Sequence, residues 1–150
     1  MLERLARWLR VLGYDVTSSS LAGPEAGTVL ARAAAQGRIL LTRNRHLAEP
    51  GLGGDILLIQ PSAPLAQLSQ VIDQLELRGP WTLFTRCLVC NATLSAGAFA
   101  PREGSGSPPT GTVSRQCPQC ERQYWEGVHT RRMRAALRRG LGQRFVEIVG

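Results

Sequence analysis

Apolar positions recur every three to four residues at the start of the chain. Leu2, Leu5, Leu9 and Leu12 share one helical face, and Arg4, Arg7 and Arg10 fall on the opposite one. The pattern predicts an amphipathic first helix that Gly13 closes in the left-handed conformation. Tyr14 to Thr17 reads as a short strand. A polar, turn-rich stretch follows, then a second helix that opens at Pro24 and ends at Gly37. Ile39 to Thr42 forms the next strand. After a Pro50-Gly51 break, Asp55 to Gln60 is a continuous apolar run of the kind buried on both faces of a parallel sheet. Ser62 caps a further helix with Leu65, Leu68, Ile72 and Leu75 inward, stopping before Gly79-Pro80.

Strands alternating with helices predict an α/β fold with a parallel, doubly wound sheet. Such a domain usually begins with a strand, whereas this chain begins inside a helix. Gly79-Pro80 is the expected boundary between an α/β domain over 1–79 and a smaller unit over 80–150, an arrangement that suits 150 residues. The biased segment Pro101 to Thr112 reads as a mobile loop.

Composition adds two points. No run of 18 apolar residues occurs and the first ten residues lack the order of a signal peptide, so a soluble, cytoplasmic protein with no membrane partner is expected. The net charge of +7 suggests a polyanionic partner, and every basic residue is Arg. A codon bias toward Arg would give the same composition, so position must decide. Arg131, Arg132, Arg134, Arg138 and Arg139 crowd one C-terminal helix, and His129 to Arg139 contains no acid. The guanidinium fork suits phosphate, so this helix is expected to contact it.

The four cysteines form two pairs, Cys87-Leu-Val-Cys90 and Cys117-Pro-Gln-Cys120, with 26 residues between them. Two such turns place four thiolates in a tetrahedron of the size Zn²⁺ accepts. The absence of any other Cys favours a closed structural site. Disulfides are the first alternative and a redox Cys-x-x-Cys the second. Without a secretory signal the thiols should stay reduced, and redox chemistry needs one pair after a strand, not two matched ones.

Taken in order, Leu5-Ala-Arg-Trp-Leu-Arg10, Gly13-Tyr-Asp15, Ile39-Leu-Leu-Thr-Arg-Asn-Arg45, Arg86-Cys-Leu-Val-Cys90 and the run from Cys117 to His129 resemble the RNase domain named after the C-terminus of the Mut-seven exonuclease. The resemblance covers essentially the whole chain. It implies a PIN-like nuclease fold, a parallel sheet flanked by helices, joined to a C-terminal zinc ribbon. It also implies RNA as partner, and RNA cleavage that depends on Mg²⁺ or Mn²⁺ held by clustered carboxylates.

Carried over position by position, the resemblance puts the family's first Asp on an initial strand that this sequence does not include. The second Asp is replaced by Asn44, which keeps a carbonyl oxygen and loses the charge. Ligands in open α/β sheets gather at the carboxyl ends of strands, which excludes Asp15 and Asp55. The catalytic candidates are therefore Asn44 and Glu25, with Glu49 weaker. Arg7, Arg10, Arg43, Arg45, Arg131, Arg132 and Arg134 are the candidate RNA contacts.

Local roles compete with several of these. Glu25 can simply favour a helix N-terminus, and Asn44 can bond its own turn. His46 reads as an exposed loop histidine, and Tyr124 and Trp125 read as a cover for the ribbon's small core. His129 finds no vacancy beside two complete cysteine pairs. Two functions are expected from this pattern: a metal-dependent ribonuclease, or an RNA-binding or scaffold module derived from one.

Overall fold

Helix α1 (Glu3–Val11) buries Leu5, Ala6, Leu9 and Val11, as the apolar spacing requires. Its end is a complete left-handed cap. Gly13 has φ +94, its N–H donates to the Arg10 carbonyl at 3.0 Å, and the Tyr14 N–H donates to the Leu9 carbonyl at 3.0 Å. A side chain at Gly13 would also meet Thr85 Oγ1 at 3.1 Å, so the turn and the close approach both favour glycine. The computed structural model describes residues 2–18, 26–51, 53–97, 100, 106 and 108–148. The opening of the second helix at Pro24, and half of the Pro101 to Thr112 loop, lie outside the described residues.

Tyr14 to Thr17 is not a strand. No neighbouring strand pairs with it among the described residues, and the backbone N–H and carbonyl of Val16 bond the side chains of Asn91 and Arg10 instead. Helix α2 (Ala26–Ala35) closes on Gly37, φ +62, with the Arg38 N–H bonded to the Ala33 carbonyl at 2.8 Å. Strands β1 (Leu40–Thr42) and β2 (Ile56–Leu58) pair in parallel with Leu40 opposite Ile56. These two strands make up the whole parallel sheet among the described residues. Ile59, just past β2, is fully buried, whereas Ile56 to Leu58 are half-buried, so among the described residues the strand is not covered on both faces as its apolar run predicts.

Helix α3 (Pro64–Gln74) turns Leu68, Val71 and Ile72 inward. Its N-cap is Ala63 rather than Ser62, and Pro64 at its start has no amide hydrogen that would need a cap. Beyond it, β3 (Ser95–Gly97), β4 (Ser114–Gln116) and β5 (Gln123–Trp125) form an antiparallel sheet in the order β3-β4-β5. Helix α4 (Val128–Leu141) buries Thr130, Met133, Leu137 and Leu141 and packs against α3.

One apolar cluster runs across position 79. It joins Leu5 and Leu9 of α1 and Leu68 and Ile72 of α3 to Trp81, Phe84, Leu88, Met133 and Leu137. Trp81 stacks on Phe145 and donates its Nε1–H to the Tyr14 hydroxyl at 2.8 Å. The architecture is thus mixed α/β, with a small parallel sheet, helices and a separate antiparallel sheet beside the cysteines. Among the described residues, no helix is long and apolar enough to cross a membrane.

Candidate functional site

The cysteine turns are built alike. In the first, the Asn91 N–H donates to the Cys87 carbonyl at 3.0 Å and the Cys87 N–H to the Ala92 carbonyl at 2.8 Å. In the second, Glu121 N–H meets the Cys117 carbonyl at 2.9 Å and Cys117 N–H the Arg122 carbonyl at 2.9 Å. Each turn needs a left-handed residue after its second cysteine, and Asn91 (φ 71) and Glu121 (φ 59) supply it. Repeating one turn on two segments makes their sulfurs converge. Cys87 Sγ lies 3.5 Å from Cys120 Sγ, Cys90 Sγ lies 3.3 Å from Cys117 Sγ, and all four sulfurs fall within 4.8 Å of one another.

Zn–S bonds of about 2.3 Å give a tetrahedron with edges of about 3.8 Å, so the observed spacings bracket what a tetrathiolate zinc site requires. The surroundings suit a cation as well. Burial pushes the Cys87 thiol up, but hydrogen bonds from the backbone at Cys90 and Val89 and from the Tyr124 hydroxyl, 3.1 Å away, bring it down to about 6. Desolvation raises Cys90 to about 12, reinforced by its cysteine neighbours, and Cys120 also moves up, chiefly through burial. Cys87 forms a thiolate readily while Cys90 and Cys120 resist, which is what a cluster awaiting a positive charge should do. The cysteines are free rather than bridged, and a divalent cation fits them. Tyr124 sits over the cluster and also takes the Leu88 N–H at 3.1 Å, while His129 stands exposed and outside it.

The second candidate site lies at the carboxyl end of β1. There Asn44 caps the 3-10 turn Arg45–Ala48: its Oδ1 accepts the His46 N–H at 3.0 Å, and its own N–H donates to Thr42 Oγ1 at 3.0 Å. His46 pairs its Nδ1 with Glu49 Oε1 at 3.1 Å, both groups well exposed. Glu25 lies outside the described residues. Among the described residues, the four cysteines are the one group of three or more His, Cys, Asp or Glu placed to hold a metal ion. The described residues at this rim do not fit a Mg²⁺ or Mn²⁺ ion, because the amide of Asn44 is neutral and already engaged with backbone. An open groove of about 1230 Å³ runs from this rim past Leu40 and Leu9 to Tyr14–Ser18.

The candidate RNA-binding arginines divide into two groups. Arg7, Arg45, Arg131 and Arg132 are exposed, as are Arg138 and Arg139, and Arg43 is half-buried with one nitrogen on the Pro61 carbonyl at 2.8 Å. Two expectations need correction. Arg10, grouped with Arg7 on the outer face by helical period, is 3 % exposed. It donates to the carbonyls of Val16 (2.9 Å), Leu88 (2.9 Å) and Val89 (3.1 Å) and to Ser18 Oγ at 3.1 Å. Arg134 turns in toward Glu126 and toward Glu147 Oε1 at 2.7 Å, and lies over the Phe84 ring at 5.3 Å. Neither guanidinium faces solvent as a free phosphate donor.

Sequence reasoning missed Asn91. It is 8 % exposed, its Oδ1 accepts the Val16 N–H at 3.0 Å, and its Nδ2 donates to Asp15 Oδ1 at 2.6 Å. Asp15 also takes Arg38 at 3.0 Å, and the two bonds, Asn91's the larger effect, hold its carboxyl below the usual range. Its place directly after Cys90 was the available signal, since the turn there demands a residue that tolerates positive φ.

Comparison with known proteins gives one match and two negatives. A family model described as the Mut7-C RNAse domain matches residues 1–137. No curated protein matches, and no solved structure matches.

Proposed function

The chain belongs to the Mut7-C RNAse domain family, and from that premise we propose that it is a ribonuclease-like protein that engages RNA through a PIN-like α/β half and a C-terminal zinc ribbon. The observation that carries the reading is the family match over nearly the whole chain. Zn²⁺ would be held by Cys87, Cys90, Cys117 and Cys120, where it supplies structural cross-linking and no chemistry of its own. The exposed Arg131, Arg132, Arg138 and Arg139 recur two turns apart on α4, about 10 Å along the helix, and form a cationic face suited to the phosphate backbone. Arg7, Arg43 and Arg45 add positive charge elsewhere, the last two beside the groove's rim.

Two activities follow from this placement. Metal-dependent cleavage is the one that family membership favours. The alternative, an RNA-binding or scaffold module without turnover, is favoured by a specific observation: Asn44 stands where a charged ligand is needed, and its oxygen holds the turn. The geometry of the described residues favours the second. Incubating the full chain with single-stranded RNA and Mg²⁺ or Mn²⁺ separates them. Binding without products is the expected result. Products that vanish on Glu25→Ala would establish cleavage and overturn it.

A further inference from the structure

The cysteine cluster and the groove meet along one seam. Residues 14–18 form a lip of the groove, and no strand pairs with them among the described residues. What holds the lip comes from the first cysteine turn. Asn91 binds both Val16 N–H and the Asp15 carboxylate, and Asp15 passes the contact on to Arg38 across the groove mouth. From the opposite direction, Arg10 bridges the lip (Val16 carbonyl, Ser18 hydroxyl) to the carbonyls of Leu88 and Val89, which lie between the two cysteines of that turn. The bonds that reach the cysteine turn join partners 75 to 79 positions apart in the chain, so local structure cannot supply them.

We propose that Asn91 and Arg10 are positioning residues that register the groove's lip on the cysteine turn, so that filling the four-thiolate cluster orders residues 14–18. The proposal rests on the zinc reading of that cluster. Within the first turn, backbone hydrogen bonds join Cys87 to Asn91 and to Ala92; a shared ion would tie it to the second turn through all four sulfurs, beside the Tyr124 hydroxyl that takes the Leu88 N–H. Without the ion the four sulfurs share no common bond, and the first turn loses that tie to the second. The carbonyls of Leu88 and Val89 and the Asn91 amide then move together. In that state Val16 N–H loses Asn91, Asp15 keeps only Arg38, the buried Arg10 guanidinium loses the Leu88 and Val89 carbonyls, and the lip has no ladder to fall back on.

Backbone hydrogen exchange on the full chain, with zinc measured in parallel, tests this. Stripping the zinc should speed exchange of the Val16 amide by about tenfold or more. Asn91→Gly keeps the positive φ available and removes only the side-chain contacts. With stoichiometric zinc still bound, it should exchange as fast at Val16 as the stripped wild type, and stripping it further should change little. A merely structural defect would lower zinc content as well. Combining Asn91→Asp with Asp15→Asn reverses donor and acceptor across the same contact and should restore protection. Should Arg10→Lys retain zinc, it should show the same loss of protection. Bound zinc with a Val16 amide indifferent to stripping, or an Asn91→Gly chain as protected as wild type, would overturn the proposal alone. A zinc content of zero in the purified chain would overturn the zinc reading along with it.

Discussion

The guanidinium of Arg10, at the end of the first helix, donates to the carbonyl of Leu88, between two cysteines and 78 positions further on, at 2.9 Å. This contact fastens the N-terminal half of the chain to the first cysteine turn. It also explains why two segments that resemble one family in sequence sit together in space. Gly13 belongs to the same joint, its carbonyl accepting Arg86 Nε at 3.2 Å.

Removing that fastening should be costly. Arg10→Ala leaves the buried Leu88 carbonyl unpaired and deprives the Val16 and Val89 carbonyls of a charged donor. A loss on the order of 3 kcal/mol or more is expected. Arg10→Lys should recover little of it, since an ammonium cannot span carbonyls on two sides as a planar fork does. Urea unfolding at saturating zinc measures the effect. A change within about 0.5 kcal/mol, the scale of an ordinary surface substitution, would contradict the structure.

Zinc affinity should rise with pH. Cys87, depressed to about 6, is already mostly a thiolate at pH 7, whereas Cys90, near 12, and Cys120, also raised, must release protons when the ion binds. The sign follows from the direction: groups whose free-state pKa lies above the working pH oppose binding more strongly as pH falls. The protons that Cys90 and Cys120 release by themselves give at least roughly a hundredfold change in affinity per pH unit between pH 7 and 8. Competition with a chromophoric chelator at several pH values measures the slope. A flat dependence would mean the ion is not held by these four sulfurs.

Asn44→Asp should leave the fold as it is, because a carboxylate oxygen accepts the His46 N–H as well as an amide oxygen does. Asn44→Ala removes the cap and should cost about 1 kcal/mol. Comparing the two by thermal unfolding isolates the capping role from any effect on RNA. Equal stability of both variants would show that the bond contributes nothing.

Much of this was legible in the chain, and the failures have physical causes. The cysteine spacing was readable because metal chemistry fixes it locally. The inward positions of α1 and α3 were readable because a 3.6-residue period has one interpretation against one core. Arg10 was not, since α1 is covered on a second side by the cysteine turn, and a period reports only one buried face. The lip at 14–17 alternates like a strand, yet side chains from Arg10 and Asn91 replace the ladder. Arg134 looked like a free cation because Glu126 lies just before α4 and Glu147 well after it, outside the acid-free run. Asn44 could be read as a turn residue, and it is one.

The division among the arginines of α4 yields the sharpest test of RNA engagement. Arg131, Arg132, Arg138 and Arg139 are exposed, while Arg134 is bound to two carboxylates and a ring. If the exposed set meets phosphates, replacing each by Gln should weaken binding to any RNA sequence alike. Each replacement should also flatten the dependence of log affinity on log salt by about 0.7 for a single strand. Arg134→Gln should behave oppositely. It leaves the salt slope unchanged but lowers stability, because the part-buried Glu147 loses its charge partner, a loss of about 1 to 3 kcal/mol. Fluorescence anisotropy over a salt series, with unfolding curves for each variant, reads both quantities. An unchanged slope after all four exposed replacements would remove α4 from the interface. A reduced slope for Arg134→Gln would mean that its ion pairs open when RNA arrives.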